Sequence, residues 1–289
     1  MATGTAHFLL TRFNLPSSGP ESLIRSSPEW LRNRVGLFRR YTIPSVLAQG
    51  SGRCEWIIYF DPESPDWLKS QISADAAAGT YTPIFAESVD RARLLADLRS
   101  HAPAGSRRVI TTNLDNDDGL ASDFIERIQT ADPGGGRHAI YLADGLIKSG
   151  TEVFVRTDKH NAFCSVAEDW DNAVTCWSEW HNLLADHMPT TVVRGDPAWL
   201  QVIHGANVSN RVRGRLASPA SHLGRYPGLL DDVRTPGRAD LAAERLVRVP
   251  SRALREYGWA AGKFMLMKTV GKEGLDRVKM RLASLRRVA

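Results

Sequence analysis

The stretch "RRVITTNLDNDDGLASDFIERIQT", Arg107 to Thr130, decides how the rest of the chain is read. Its first part, through Leu114, is apolar and β-branched and reads as a strand. From Gly119 onward, Leu120, Phe124, Ile125 and Ile128 recur at helical spacing. Between the two stand Asp115, Asn116, Asp117 and Asp118. A strand that passes through a turn into a helix is half of a βαβ unit, and the question is whether its neighbours repeat it.

They do. "HFLLTRFNL" (His7 to Leu15) reads as a strand, and the segment opening "PEWLRNRVGLFRRYTIPSVLAQ" places Trp30, Leu31, Val35 and Phe38 on a helical face. "CEWIIYF" is a second strand ending at Asp61, followed by a helix for which Ser64 is the expected N-cap and Pro65 the first residue. "YTPIF" is a third strand, and "SVDRARLLADLRSH" a helix with Val89, Leu94, Leu95 and Leu98 inward. The rhythm predicts an α/β fold with a mostly parallel, doubly wound sheet. Ligands of such sheets collect outside the strand carboxyl ends, here Asn14, Asp61 and the Asp115 cluster. Beyond "ADPGGGR", the run "HAIYLADGLIKSGTEVFVRT" reads as two extended segments folded as a hairpin. From Arg215, Pro219, Pro227, Gly228, Pro236 and Gly237 predict a connector. The expected organisation is a domain over 1–215 and a connector with a helical tail over 216–289.

With 289 residues, 43% of them hydrophobic, the chain can bury a sizeable core. No apolar run is long enough to span a bilayer, and the N-terminus lacks the pattern of a secretory signal. Three widely spaced cysteines, Cys54, Cys164 and Cys176, suggest neither a disulfide framework nor a zinc module, and point to a reducing, cytoplasmic setting. The net charge of +5 is confined to the end: from Ser251, ten basic residues face three acidic ones, which leaves the remainder slightly acidic. That confinement argues against a nucleic-acid partner. Leu275, Val278, Leu282 and Leu285 can line one face of a basic amphipathic tail, which suits a helix packed on its own domain and peripheral contact with an anionic membrane equally.

Three readings compete for "DNDDG". An EF-hand loop needs Gly at its sixth position, where this chain has Leu120. A plain turn needs one or two such residues, and crowded carboxylates repel. A hard divalent cation, Mg or Mn, accepts carboxylate oxygens at a strand end and leaves positions open for phosphate oxygens.

"HFLLTRFN", "YTIPSVLAQ" before "WIIYFD", "ITTNLDNDDGLASDF" and "WLQVIHGANVSN" together resemble the "putative rhamnosyltransferase" family, glycosyltransferases of GT-A-like fold, over most of the first 215 residues. The resemblance implies a nucleotide-sugar donor bound across the strand ends, with a divalent cation held on its diphosphate by the acidic motif: Asp115, Asp117 and Asp118 on the metal, Asp115 and Asn116 toward the donor. It also implies a nucleoside contact from Asp61 and a metal or diphosphate contact from His204. The family usually reads Arg where this chain has Asn113.

Departure of a nucleoside diphosphate develops negative charge that a cation can stabilise. Inversion at the sugar needs a base for the acceptor hydroxyl. Glu168 is the first candidate, at the end of the apolar run in "FCSVAEDW", with Asp169 and His181 behind it. Asn207, Asn210 and Arg211 can address phosphate, and Arg12, with Arg91 or Arg93, can approach the donor. Trp170, Trp177 and Trp180 cluster where a glycan or glycolipid acceptor could stack, whereas Trp30, Trp56 and Trp199 read as core. A sugar nucleotidyltransferase is the alternative enzyme, disfavoured because "TRFNLPSSGPES" offers one Gly and no Lys after the first strand. A non-catalytic protein working through its tail is the third reading.

Overall fold

The computed structural model describes residues 4–16, 27–204 and 212–251. One compact unit extends to residue 235, and a second begins at 236. The larger unit is built on a seven-stranded sheet of order β10-β6-β9-β4-β1-β2-β3. Its strands are β1 (Thr5–Arg12), β2 (Glu55–Phe60), β3 (Thr82–Phe85), β4 (Arg108–Asn113), β6 (His138–Leu142), β9 (Ser165–Asp169) and β10 (Thr190–Val193). All neighbours are parallel except β9, which runs antiparallel to both β4 and β6. The mainly parallel sheet expected from the sequence is therefore present. β1 and β2 are central and covered on both faces, which is why "FLL" and "WIIYF" are continuous apolar runs rather than alternating ones.

The first connection holds α1 (Pro28–Leu37), a π-helical turn (Phe38–Thr42) and α2 (Ile43–Leu47). Ser27 caps α1 by accepting from Trp30 N–H at 3.2 Å, with Pro28 in the first turn. The helices α3 (Asp66–Ala77), α4 (Arg91–His101) and α5 (Phe124–Ala131) complete the crossovers. At α3 the expected cap shifts by one residue: Pro65 holds the extended N-cap position, while Ser64 donates to the Asp61 carbonyl at 2.7 Å. The main core packs Leu10, Ile57, Tyr59 and Val166 of the sheet against Leu94 and Leu98 of α4.

The run read as a hairpin divides at Ala143. Its first part is β6; its second, β7 (Asp144–Ser149), leaves for another sheet and forms the hairpin with β8 (Glu152–Thr157) across Gly150, whose φ is +55°. That sheet has the order β12-β8-β7-β11-β5, with β5 (Gly119–Leu120), β11 (Trp199–Ile203) and β12 (Arg215–Ala217). The stretch read as a connector is packed through residue 235: β12 pairs with β8, and Tyr226, Leu229 and Leu230 are buried against Leu146 and Leu200. Proline and glycine there shape a tight path and do not loosen it. Buried Lys148 donates to Asp232 at 2.9 Å and holds that path to β7.

Of the second unit, α6 (Arg238–Ala243) and a π-helical turn (Glu244–Arg248) are described. The basic amphipathic face proposed around Leu275 to Leu285 lies outside the described residues. No helix among the described residues is long and apolar enough to cross a membrane.

Candidate active site

Parallel pairing aligns the carboxyl ends of β1, β2 and β4 on one rim, with Arg12 level with Tyr59 and Leu10 level with Asn113. The chain leaving β4 stays tied to β1: Leu114 N–H donates to the Leu10 carbonyl at 3.0 Å, and Thr11 Oγ1 donates to the Leu114 carbonyl at 2.8 Å. Asn116 then donates to the Phe13 carbonyl at 2.7 Å, and Asp118 N–H to the Asp115 carbonyl at 3.3 Å. The acidic motif is thus a turn, but one fastened at each step to the strand rim.

Its three carboxylates differ. Asp117 is buried, which raises its pKa, yet the His204 hydrogen bond at 3.0 Å and the Arg34 guanidinium outweigh burial and hold it below the usual carboxylate range. Asp118 is 3% exposed and accepts from Val202 N–H at 2.8 Å; burial, then Asp117 and Asp115, push it well above that range. Asp115 is exposed to a cleft, where the Asn113 amide donates to it at 3.3 Å. Three carboxylates thus stand within four residues, of which Asp117 is held ionised.

A cation is one counterpart such a cluster can take. Among the described residues no three His, Cys, Asp or Glu side chains converge as a ready metal cluster. Asp117 and His204 do meet, and Asp115 faces the cleft, whereas Asp118 is committed to the β11 backbone. This oxygen and imidazole set fits a divalent cation that draws few ligands from the chain and the rest from phosphate or water.

The cleft has a volume of about 720 Å³. On its first wall, Arg12 stacks over the Trp177 ring at 4.0 Å, and the Trp177 indole donates to Asn113 at 2.8 Å. Asn113 thereby ties the two sides together, since it also donates to the Ala162 carbonyl at 2.9 Å. The floor is Phe163 stacked on Trp199, with centroids 5.2 Å apart and planes 12° apart. Trp199 leans across Gly145, where any β-carbon would fall inside the indole. The far wall comes from the second sheet and carries Arg156, Asp158 and Gln201, with Arg213 beside them. Glu179, Trp180 and His181 form the rim, and Trp180 is 73% exposed.

Glu168 and Asp169 do not reach this cleft. Because β9 is antiparallel, they sit opposite Val109 and Arg108, at the amino end of β4. Val109 lies four residues before Asn113, about 13 Å along a strand. Glu168 is 1% exposed and saturated by Arg137 Nε at 2.7 Å and by the Val174 and Thr175 N–H groups, and Asp169 pairs with Arg108 at 2.9 Å. Both are corrected to structural roles. The end of an apolar run marks the mouth of the cleft only in a parallel strand, and β9 is antiparallel to both its neighbours. His181 does line the cleft; burial lowers its pKa, with Asp158 opposing and His160 assisting.

Arg93 is likewise displaced, paired with Asp97 at 3.0 Å on the outer face of α4, and Arg91 bonds the Asn172 and Ala173 carbonyls. Asp61 stays at the strand rim, its N–H donating to Asn14 and its carboxylate accepting from Glu63 N–H at 2.8 Å. Trp170 is buried, with Arg99 at 5.4 Å from its ring, so only Trp177 and Trp180 of that cluster face the cleft. Asn207, Asn210 and Arg211 lie outside the described residues. Asp158 is not among the residues expected from sequence, though it shares with Asp61 the signal of an acid directly after a strand. Nor is Arg34, since an Arg on an amphipathic helix has no local mark.

A sequence model of the family described as "Putative rhamnosyl transferase" matches residues 6–216. No curated protein matches the chain. Among solved structures, TarS 1-349 of S. aureus in complex with UDP is similar at 10% identity and a TM-score of 0.41, covering 68% of this chain; the chain spans 60% of that fragment's length. A "putative nucleotide-diphospho-sugar transferase" from Desulfovibrio desulfuricans has 10% identity and a TM-score of 0.34, over 69% of this chain and 81% of its own. The inositol-1-phosphate CTP transferase of T. maritima has 10% identity and a TM-score of 0.34, over 80% and 99%.

Proposed function

Because the chain belongs to the family described as "Putative rhamnosyl transferase", we propose that it is a glycosyltransferase that moves a sugar, nominally rhamnose, from a nucleotide-diphosphate donor. The acceptor is a polysaccharide or glycolipid precursor at the cytoplasmic face of a membrane, and the sugar is transferred with inversion. The observation that carries this reading is the acidic motif fastened at the carboxyl ends of β1 and β4 with Asp115 opening into a walled cleft.

A divalent cation, Mn or Mg, would take a ligand from Asp115 on the cleft or from the Asp117–His204 pair, with the rest of its shell from phosphate and water, and would supply charge stabilisation for the departing diphosphate. The chain's own residues do the rest. Asn113 fixes Asp115 through its amide, and Arg12, braced on Trp177, offers a fixed guanidinium to the phosphates. Asp61, beside Asn14 on the same rim, would contact the nucleoside. Phe163 and Trp199 give the cleft a flat aromatic floor against which a sugar ring can pack. Trp180 offers an exposed ring to an acceptor sugar.

His181 takes the role first given to Glu168. A lowered pKa keeps its imidazole neutral near pH 7, ready to receive the acceptor proton as the new glycosidic bond forms. Asp158 and Glu179, on the same cleft, are the carboxylates against which it must be compared.

The test is nucleoside diphosphate release from a panel of nucleotide sugars with a glycan or glycolipid acceptor and Mn2+. Turnover of at least one donor, lost in Asp115→Asn, supports the proposal. Pyrophosphate release from a nucleoside triphosphate and a sugar phosphate, with no transfer, would replace it by the nucleotidyltransferase reading.

A further inference from the structure

Arg34 occupies the acidic motif from the side of α1. Its guanidinium lies 4.8 Å from the Trp30 ring, donates to Asn116 Oδ1 at 3.1 Å, and forms an ion pair with Asp117 Oδ2. His204 Nε2 approaches that same oxygen at 3.0 Å. The Arg34 side chain is 13% exposed, so the pair is largely removed from solvent. An arginine held at three points against a buried carboxylate is a fixed positive charge, and it already stabilises Asp117 in its ionised form.

A guanidinium and a divalent cation cannot share one carboxylate oxygen without strong mutual repulsion at such short range. We infer that Arg34 is the resident counter-cation of Asp117 and lowers the affinity of the motif for a divalent cation, which must compete with it for that carboxylate. The inference rests on the reading of Asp117 as a cation ligand. Its consequence is that the free cation binds weakly on its own. A donor diphosphate brings negative charge with which the released guanidinium can pair, so donor and cation are favoured to enter together. Arg34 is a positioning residue in this account, acting through Asp117.

The test is binding of Mn2+ alone, without nucleotide, to the full-length protein, followed by the paramagnetic resonance of the free ion. Wild type, Arg34→Gln and Arg34→Lys are compared, with circular dichroism to confirm folding. Arg34→Gln is expected to bind Mn2+ about tenfold or more tightly than wild type, the factor that one charge-assisted hydrogen bond is worth. Arg34→Lys, which keeps the charge but loses the fork, should fall between them. If Arg34→Gln does not fold, Arg34→Lys decides alone. Variants that bind Mn2+ no more tightly than a wild type that does bind it overturn the inference and leave the proposed function standing. Failure of wild type and variants alike to bind Mn2+ overturns both the inference and the role given to the cation.

Discussion

Replacing Gly145 by alanine tests whether the cleft floor is held as described. Gly145 lies inside β7, between β8 and β11, and a β-carbon there would meet the Trp199 indole at under 3.0 Å. The backbone of β7 is held on both sides, so the indole has to move. It is pinned by its stack on Phe163 and by its N–H bond to the Leu142 carbonyl at 2.8 Å. Overpacking of this kind costs about 1–3 kcal/mol, and losing the buried hydrogen bond about 1 kcal/mol more. A sum of about 2–4 kcal/mol corresponds to a Tm lowered by roughly 5–15 °C in a domain of this size. Calorimetry measures the first effect, and donor turnover the second, since Trp199 also floors the cleft. Gly36→Ala is the control: Gly36 is in α1 with open space around it, and alanine there should stabilise by about 0.5–1 kcal/mol. A Gly145→Ala protein with unchanged Tm and unchanged turnover would refute the packing argument.

Glu168→Gln should lower stability by about 2–3 kcal/mol, because a buried carboxylate bonded by Arg137 and two N–H groups is weakened, while kcat of the folded protein stays within about twofold; a loss of kcat on the order of a hundredfold or more would restore it as a base. His181→Ala should lower kcat by about a hundredfold or more, and because burial lowers the wild-type pKa, the acid limb of the rate profile should lie below pH 6.5. A limb above pH 6.5, or one that persists in His181→Ala, speaks for Asp158 or Glu179. His7, buried in β1 between Thr112 Oγ1 at 2.9 Å and Gln129 at 3.2 Å, has its pKa lowered by burial to about 3. The unfolded imidazole takes a proton below pH 6.5 and the folded one does not until about pH 3, so acid favours unfolding across that window, by about 1.4 kcal/mol per pH unit. Urea titrations of His7→Gln should show a pH dependence shallower by about one proton between pH 6 and 4; an unchanged slope would count against it.

The parallel half of the sheet was legible because continuous apolar runs, each followed by helical spacing, admit few other arrangements. Asp115 at a strand end followed from the same pattern. The direction of β9 was not legible: "SVAED" has the same composition whichever way it runs, and only its pairing with β4 and β6 puts Glu168 at the far end. The passage of "HAIYLADGLIKS" between two sheets at Ala143 was hidden for a related reason, since nothing local marks where a strand changes partners. Tyr226, Leu229 and Leu230 were overlooked because nearby prolines and glycines suggested looseness, whereas the apolar side chains among them decide burial. Arg34 and Arg156 enter the site through tertiary packing, for which a single sequence carries no mark.

The most direct measurement is the thermal stability of wild type and Asp117→Asn with a panel of nucleoside diphosphates, each with and without Mn2+. A ligand that binds only the folded state at about a hundred times its Kd stabilises by about 2.7 kcal/mol, a shift of roughly 5–10 °C. The account predicts that at least one diphosphate produces such a shift in wild type only with Mn2+, and that Asp117→Asn loses it. If no diphosphate shifts wild type, or if the variant responds as wild type does, the acidic motif does not hold a donor diphosphate through a cation.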